Sequence, residues 1–210
     1  FWHLFYCAAS PEALERDASA LGELRREKIV SDVIGGEAPW LAALSNAGMR
    51  RYKTLLRMAR PARQEEAAGD PWLEQVALAR ESDAAEALGL IEAAFDRYAK
   101  QIPPPEEIET AIRCRNVLIL RLGSEIAGLL HFENHGVAST LRFWTVARRF
   151  RDRHLGAALM RRYLASQQET RRFVLWVDEG NDDAIQKYRR FHYEKDGLTD
   201  DILANDLIST

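Results

Sequence analysis

The sequence predicts a mixed α/β protein, an α+β arrangement in which helices pack on a mixed sheet. Three observations carry that expectation. Over residues 73–204, short β-prone runs and amphipathic helical patterns follow in the order β-α-α-β-β-β-α-β-α-β. The run Trp144–Leu159 passes from a strand pattern through a basic turn directly into a helical pattern. The run Phe173–Tyr193 reads as a buried strand, a turn, a capped helix and the start of another strand.

Element by element, a strand is expected at Trp2–Tyr6, then a helix capped by Ser10 with Pro11 at its first position, where a missing N–H costs nothing. A strand at Ile29–Ile34, a short helix at Pro39–Ser45 and a strand at Tyr52–Met58 follow. The stretch Ala59–Pro71 combines two prolines, a glycine and mixed charge without apolar periodicity, and reads as a linker. Beyond it come a strand near Gln75–Arg80, a helix capped by Ser82 or Asp83 and running to about Asp96, and a helix at Pro105–Arg113. Strands at Val117–Leu122 and Ile126–Glu133 flank a Gly-Ser turn, and another covers Thr140–Val146. A helix over Leu155–Gln168 has Leu155, Leu159, Met160, Tyr163 and Leu164 as its buried stripe. Phe173–Val177 and a bent segment from His192 to Ala204 complete the sheet. The expected domains are therefore residues 1–60, a linker at 61–72, and 73–210.

At 210 residues the chain can bury a substantial core. Its 47% apolar and 29% charged content is that of a soluble globular protein, and a net charge of −3 gives no reason to expect nucleic acid. Cys7 and Cys114 lie far apart, form no metal-ligand spacing and suit a reduced, cytoplasmic compartment, so no metal and no disulfide framework is expected. No apolar run reaches membrane-spanning length, and no charged-then-apolar signal segment is present.

The basic turn holds Arg148, Arg149, Arg151 and Arg153 where a strand hands over to a helix N-terminus. The first N–H groups of a helix have no internal partner and carry partial positive charge, which favours phosphates. Gly156, without a Cβ, would let a phosphate approach the backbone. A solvated basic turn opening a surface helix fits the same residues, and the second segment is what favours the phosphate reading. There, Asn181 suits an N-cap, Asp182 and Asp183 suit a first turn, and Ala184, Ile185 and Tyr188 share a helical face that turns Tyr188 inward.

Together the two segments resemble the GNAT superfamily of coenzyme A-dependent N-acyltransferases. That family's pyrophosphate loop, (Gln or Arg)-x-x-Gly-x-(Gly or Ala), falls on Arg151, Asp152, Arg153, His154, Leu155 and Gly156, followed by Ala157. Its later pattern, Asn-x-x-Ala-(aliphatic)-x-x-Tyr-x-x-x-Gly-Phe, falls on Asn181, Ala184, Ile185, Tyr188, His192 and Tyr193. His154 and His192 stand where the family has glycine. The resemblance covers residues 73–204 and implies a GNAT fold. Residues 1–60, read as β-α-β-α-β, resemble a degenerate half-copy with Leu44 at the tyrosine position and no basic glycine turn. They are candidates for capping the sheet, shaping the acceptor cleft or making homodimer contacts.

The resemblance implies acetyl-CoA as co-substrate and direct acetyl transfer to a primary amine of a small molecule or peptide, in the cytoplasm, with no membrane or nucleic acid partner. It implies that Trp144, Thr145 and Val146 offer backbone groups to pantetheine, with the Val146 amide as oxyanion donor, and that residues 151–157 hold the pyrophosphate, with Asn181 approaching the coenzyme. Tyr188 becomes the general acid for the departing thiolate. For the general base, the family's glutamate position falls near Thr140, which cannot serve. Glu133, His131 and Asp178 are candidates, directly or through water, with His135 and His154 behind them; the resemblance equally allows a reaction with no single base. The acidic residues Asp178, Glu179, Asp182, Asp183, Asp200 and Asp201 could attract a cationic amine or merely cap helices and turns. Trp176 could line the acyl or acceptor pocket or pack in the core. Tyr98–Pro105 is the candidate specificity loop over the acceptor. Two readings compete with this one: a catalytically silent acyl-CoA-binding module, and an acyltransferase using a longer acyl-CoA or acyl-carrier donor.

Overall fold

The computed structural model describes residues 1–24, 27–63 and 70–208. In chain order the elements are β1 (Trp2–Leu4), α1 (Pro11–Leu24), β2 (Ile29–Ile34), α2 (Ala38–Asn46) and β3 (Arg50–Pro61). Next come β4 (Val76–Leu78), α3 (Ala84–Ala94), α4 (Pro105–Arg113), β5 (Val117–Leu122), β6 (Glu125–His135) and β7 (Ala138–Val146). The last are α5 (Leu155–Ser166), β8 (Arg172–Asp178), α6 (Asp182–Arg189) and β9 (Glu194–Ala204). This is the mixed α/β class the alternation predicts. Part of the expected linker, residues 64–69, lies outside the described residues; β3 runs on to Pro61 before it.

The described residues form two compact units, Phe1–Met58 with Trp176–Thr210, and Ala59–Leu175. In the first, β1 pairs parallel with β2, and β2 pairs antiparallel with β9, Val30 opposite Ala204 and Ile34 opposite Asp200. Leu14, Ala18, Ile29, Val33, Ala43, Leu44, Met49 and Leu203 form its core. Ser10 Oγ accepts from the Ala13 N–H at 3.3 Å, the cap expected for α1.

In the second unit the strand order is β8-β7-β6-β5-β4, antiparallel from β4 to β7 and parallel between β7 and β8. One sheet face is covered by α3 and α4 through Ile91, Ile108, Ile112, Ile119, Leu129 and Phe143. The other carries α5, whose stripe of Leu155, Leu159, Met160, Tyr163 and Leu164 is buried as the periodicity predicts, joined by Ala158. Tyr163 fixes α5 to this face. Its ring meets Phe132 at 4.9 Å and its hydroxyl pairs with Ser139 Oγ at 2.8 Å. At Gly128 the approach is closest: a Cβ there would lie 2.9 Å from Leu159 Cδ1. Two local expectations change. Asp83 does not cap α3; its carboxylate accepts from the Arg80 N–H at 2.8 Å and from Arg121 at 2.7 Å, closing a 3-10 turn at Glu81–Asp83. The basic turn does not pass straight into a helix, because a 3-10 turn at Arg148–Phe150 and four further residues precede α5.

One irregularity in β7 organises the site. His131 pairs with Phe143 but Phe132 pairs with Leu141, so Arg142 is an extra residue on β7, a β-bulge. Side chains alternate with period two, so the extra residue reverses the alternation. Ser139 is bonded to Tyr163 on the α5 face, whereas Phe143 meets Phe95 edge-on at 5.1 Å on the α3 face, and Trp144 returns to α5.

Candidate active site

The bulge directly follows the last β7–β8 pair within the second unit. Their parallel pairing runs from Ala138 opposite Arg172 to Leu141 opposite Leu175, while β7 continues beside β6 as far as Val146 opposite Gly128. The Ala147 N–H bonds to the Ala127 carbonyl on β6 at 2.9 Å. Backbone groups of successive residues in a strand point to opposite sides, so those of Val146 and Trp144 point away from β6. They face the side on which the β8 ladder has already ended. Trp144, Thr145 and Val146 are half-buried, and the Trp144 indole packs against the first turn of α5.

The loop that follows, residues 147–154, is exposed except for Ala147 and Phe150. Arg149 and Arg153 lie over the Phe150 ring at 5.0 and 5.8 Å, and Arg149 also pairs with Glu125. Asp152 and His154 both have left-handed backbone, φ 66° and 61°, and His154 is the N-cap residue of α5. His154 thus adopts the backbone that glycine takes most easily, and it does so at a strain cost. His154→Gly is expected to raise stability by about 1 kcal/mol, read as a higher urea midpoint at unchanged slope.

Gly156 has a different reason from the one its sequence context suggests. A Cβ there would stand 3.2 Å from Cζ2 and 3.4 Å from Nε1 of Trp144, and the Trp144 Nε1–H donates to the Gly156 carbonyl at 3.0 Å. The missing side chain makes room for the indole, which ties the end of β7 to the first turn of α5.

Glu133 and Thr140 are cross-strand partners, so the carboxylate stands beside the position where the family carries its glutamate. Its side chain is 27% exposed and is held by Arg142 Nη1 at 2.8 Å, with His135 Nε2 at 3.5 Å. Arg142 is a residue that sequence reasoning missed; a lone arginine inside an apolar strand run, at the bulge, was its signal. His131, two residues earlier on the same strand face, is buried and stacks on Phe143 at 5.9 Å. Burial pushes its pKa down to about 4, with Glu133 pulling it up and Arg142 pushing it down. His135 and His154 are exposed.

Asn181 and Tyr188 belong to the first unit. Asn181 Oδ1 accepts from the Ala184 N–H at 3.0 Å, the expected cap of α6. Tyr188 is half-buried, its ring edge-on to Tyr193 at 6.0 Å, and burial raises its phenol above the usual range. His192 has φ 62°, so it too holds the backbone of the glycine it replaces. The carboxylates expected to form an acidic cluster are partly neutralised within this unit. Asp178 accepts from Lys53 at 2.8 Å and from the Gly180 N–H at 3.0 Å; Asp201 accepts from Thr54 at 2.7 Å and pairs with Arg51 at 3.0 Å. Among the described residues no helix is long and apolar enough to cross a membrane, and both cysteines are free and exposed.

Comparison with known proteins places these features in a family. The model of the acetyltransferase (GNAT) family matches residues 85–193. Among solved structures, a GCN5-related N-acetyltransferase from Sphaerobacter thermophilus superposes with a TM-score of 0.65 at 17% identity, covering 85% of this chain and 59% of that one. A GNAT-family protein from Novosphingobium aromaticivorans DSM 12444 gives 0.62 at 20% identity, over 97% and 83%. A tandem GNAT protein from the clavulanic acid biosynthesis pathway gives 0.58 at 12%, over 93% and 69%. At these identities the likeness speaks for the fold, and this chain spans less than two thirds of the Sphaerobacter protein. No curated protein sequence matches. The family model covers more than half of the chain, and the fold agrees with it: this protein belongs to the acetyltransferase (GNAT) family.

Proposed function

We propose that this chain transfers an acetyl group from acetyl-CoA directly to a primary amine of a small molecule or peptide. One observation carries the reading: past the bulge at Arg142, β7 turns the backbone groups of Trp144 and Val146 away from β6 where its ladder to β8 has ended, and an exposed basic turn follows at once. Pantetheine, an extended chain of amides, can add to such an edge as another strand would. The amides of residues 151–157, flanked by Arg151 and Arg153, then hold the pyrophosphate, and Asn181 approaches the coenzyme.

The reaction requires a neutral amine, a donor for the developing oxyanion and a proton for the thiolate. The amine nitrogen attacks the thioester carbonyl carbon, and the Val146 N–H donates to the oxygen as charge builds there. The C–N bond forms, the C–S bond breaks, and sulfur leaves with the electron pair. Glu133 takes the proton lost by nitrogen, and the Tyr188 phenol protonates sulfur; exchange with solvent resets both groups. A phenol whose pKa lies above its ordinary value keeps its proton at neutral pH, as a general acid must. Arg142 holds the Glu133 carboxylate in place through its 2.8 Å contact.

The test is calorimetric. The wild-type protein is expected to bind acetyl-CoA, and Arg151→Glu to weaken that binding about tenfold or more, the worth of a charge-assisted hydrogen bond. A wild-type protein that binds no acetyl-CoA removes the reading.

A further inference from the structure

The face of β6 and β7 beneath α3 holds one group that neither packing nor the chemistry above uses. His131 is 1% exposed, and among the described residues neither of its ring nitrogens has a hydrogen-bond partner. A neutral imidazole presents one N–H donor and one lone-pair acceptor, and burying both unmatched is costly. Folded proteins contain few such groups, and a water, an ion or a ligand commonly accounts for them. The surroundings argue for a ligand. The ring stacks on Phe143, which the bulge at Arg142 has turned to this face, and Phe143 in turn meets Phe95. Phe95 and Ile102 are half-buried against the same cluster and belong to the connection between α3 and α4. Glu133 lies two residues beyond His131 on the same strand face, so the unused imidazole and the proposed base are neighbours.

We propose that His131 is the polar anchor of the acceptor pocket, and that the acceptor is a primary amine carrying an uncharged hydroxyl or amide on an apolar body. Aromatic walls favour the apolar body. A neutral donor–acceptor group satisfies the imidazole, whereas a second cation would face the Arg142 guanidinium beside it. In the free chain Phe95 packs edge-on against Phe143; on binding it moves aside to admit the acceptor. His131 then acts as a specificity-determining residue.

This assignment rests on acyl transfer by the chain, and the two fail separately. Absence of acetyl-CoA binding by calorimetry would remove the enzyme reading. With binding present, thiol release is measured for tyramine against phenethylamine and for aminohexanol against hexylamine. The wild type is expected to favour the hydroxylated member of each pair about tenfold in kcat/KM, mainly through acceptor KM, the worth of one buried hydrogen bond. His131→Phe is expected to abolish that preference while its thermal midpoint stays equal or rises, because an unmatched polar group has gone. His131→Asn is expected to restore part of the preference. Three outcomes would each overturn the proposal: equal rates within each pair for the wild type, an unchanged preference in His131→Phe, or no acetylation of any of the four amines. An unchanged preference with a raised midpoint would mean that His131 serves a buried water alone.

Discussion

Tyr188→Phe is expected to lower kcat by about a hundredfold or more, with acetyl-CoA binding by calorimetry unchanged. The size follows from losing a positioned proton donor to a thiolate leaving group, which general acid catalysis values at roughly 10²–10⁴-fold. The substitution removes one oxygen and keeps the ring, so the edge-on packing against Tyr193 at 6.0 Å survives. Coenzyme affinity therefore separates loss of chemistry from loss of fold. The pH profile adds a second readout. Burial holds the phenol above its ordinary pKa, so its ionisation takes nothing from the wild-type rate at neutral pH and lowers it only in strong alkali. The variant lacks that alkaline limb. Equal kcat in the two proteins would remove Tyr188 from the mechanism.

The second large effect concerns stability in acid. His131 has its pKa lowered from 6.5 to about 4 by burial, the opposing pulls of Glu133 and Arg142 being smaller. Between those values the unfolded chain binds the proton and the folded chain does not. Stability is therefore full above pH 6.5 and falls as pH drops toward 4, where the folded group also titrates. The span corresponds to about 3 kcal/mol. Urea unfolding at steps between pH 7 and 4, for wild type and His131→Phe, isolates this contribution from that of the carboxylates. The expected result is a steeper decline in the wild type. Parallel curves would show that the imidazole titrates without cost in the folded protein.

Much of this architecture was legible in the sequence because it depends on local periodicity and punctuation. The ends of α4 fall at Pro105 and Arg113 as a proline-initiated amphipathic run dictates, and the stripe of α5 is buried residue for residue. The cap at Asn181 was equally readable, since it needs only an acceptor side chain three residues ahead of a free N–H. What escaped depends on pairing across the chain. The bulge at Arg142 exists only relative to β6, so no pattern within β7 announces it. Asp83 reads as a cap until Arg121, distant in sequence, claims its carboxylate. Gly156 reads as an opening for phosphate, and only the fold shows that the Trp144 indole packs against it. The two histidines at glycine positions look like departures from the family pattern, yet His154 and His192 keep the left-handed backbone those positions demand. There the conformation survives the change of residue.

The extra residue at Arg142 gives the catalytic apparatus an odd-even logic. Whether an aromatic ring of β7 faces α3 or α5 hinges on its register with β6, not on what any residue is. Side-chain replacements at 142 would keep the two rings facing opposite helices. Loss of that one position would set Leu141 and Phe143 side by side opposite Phe132 and His131 and keep both rings on their present faces, whereas straightening the strand with Arg142 retained would exchange them.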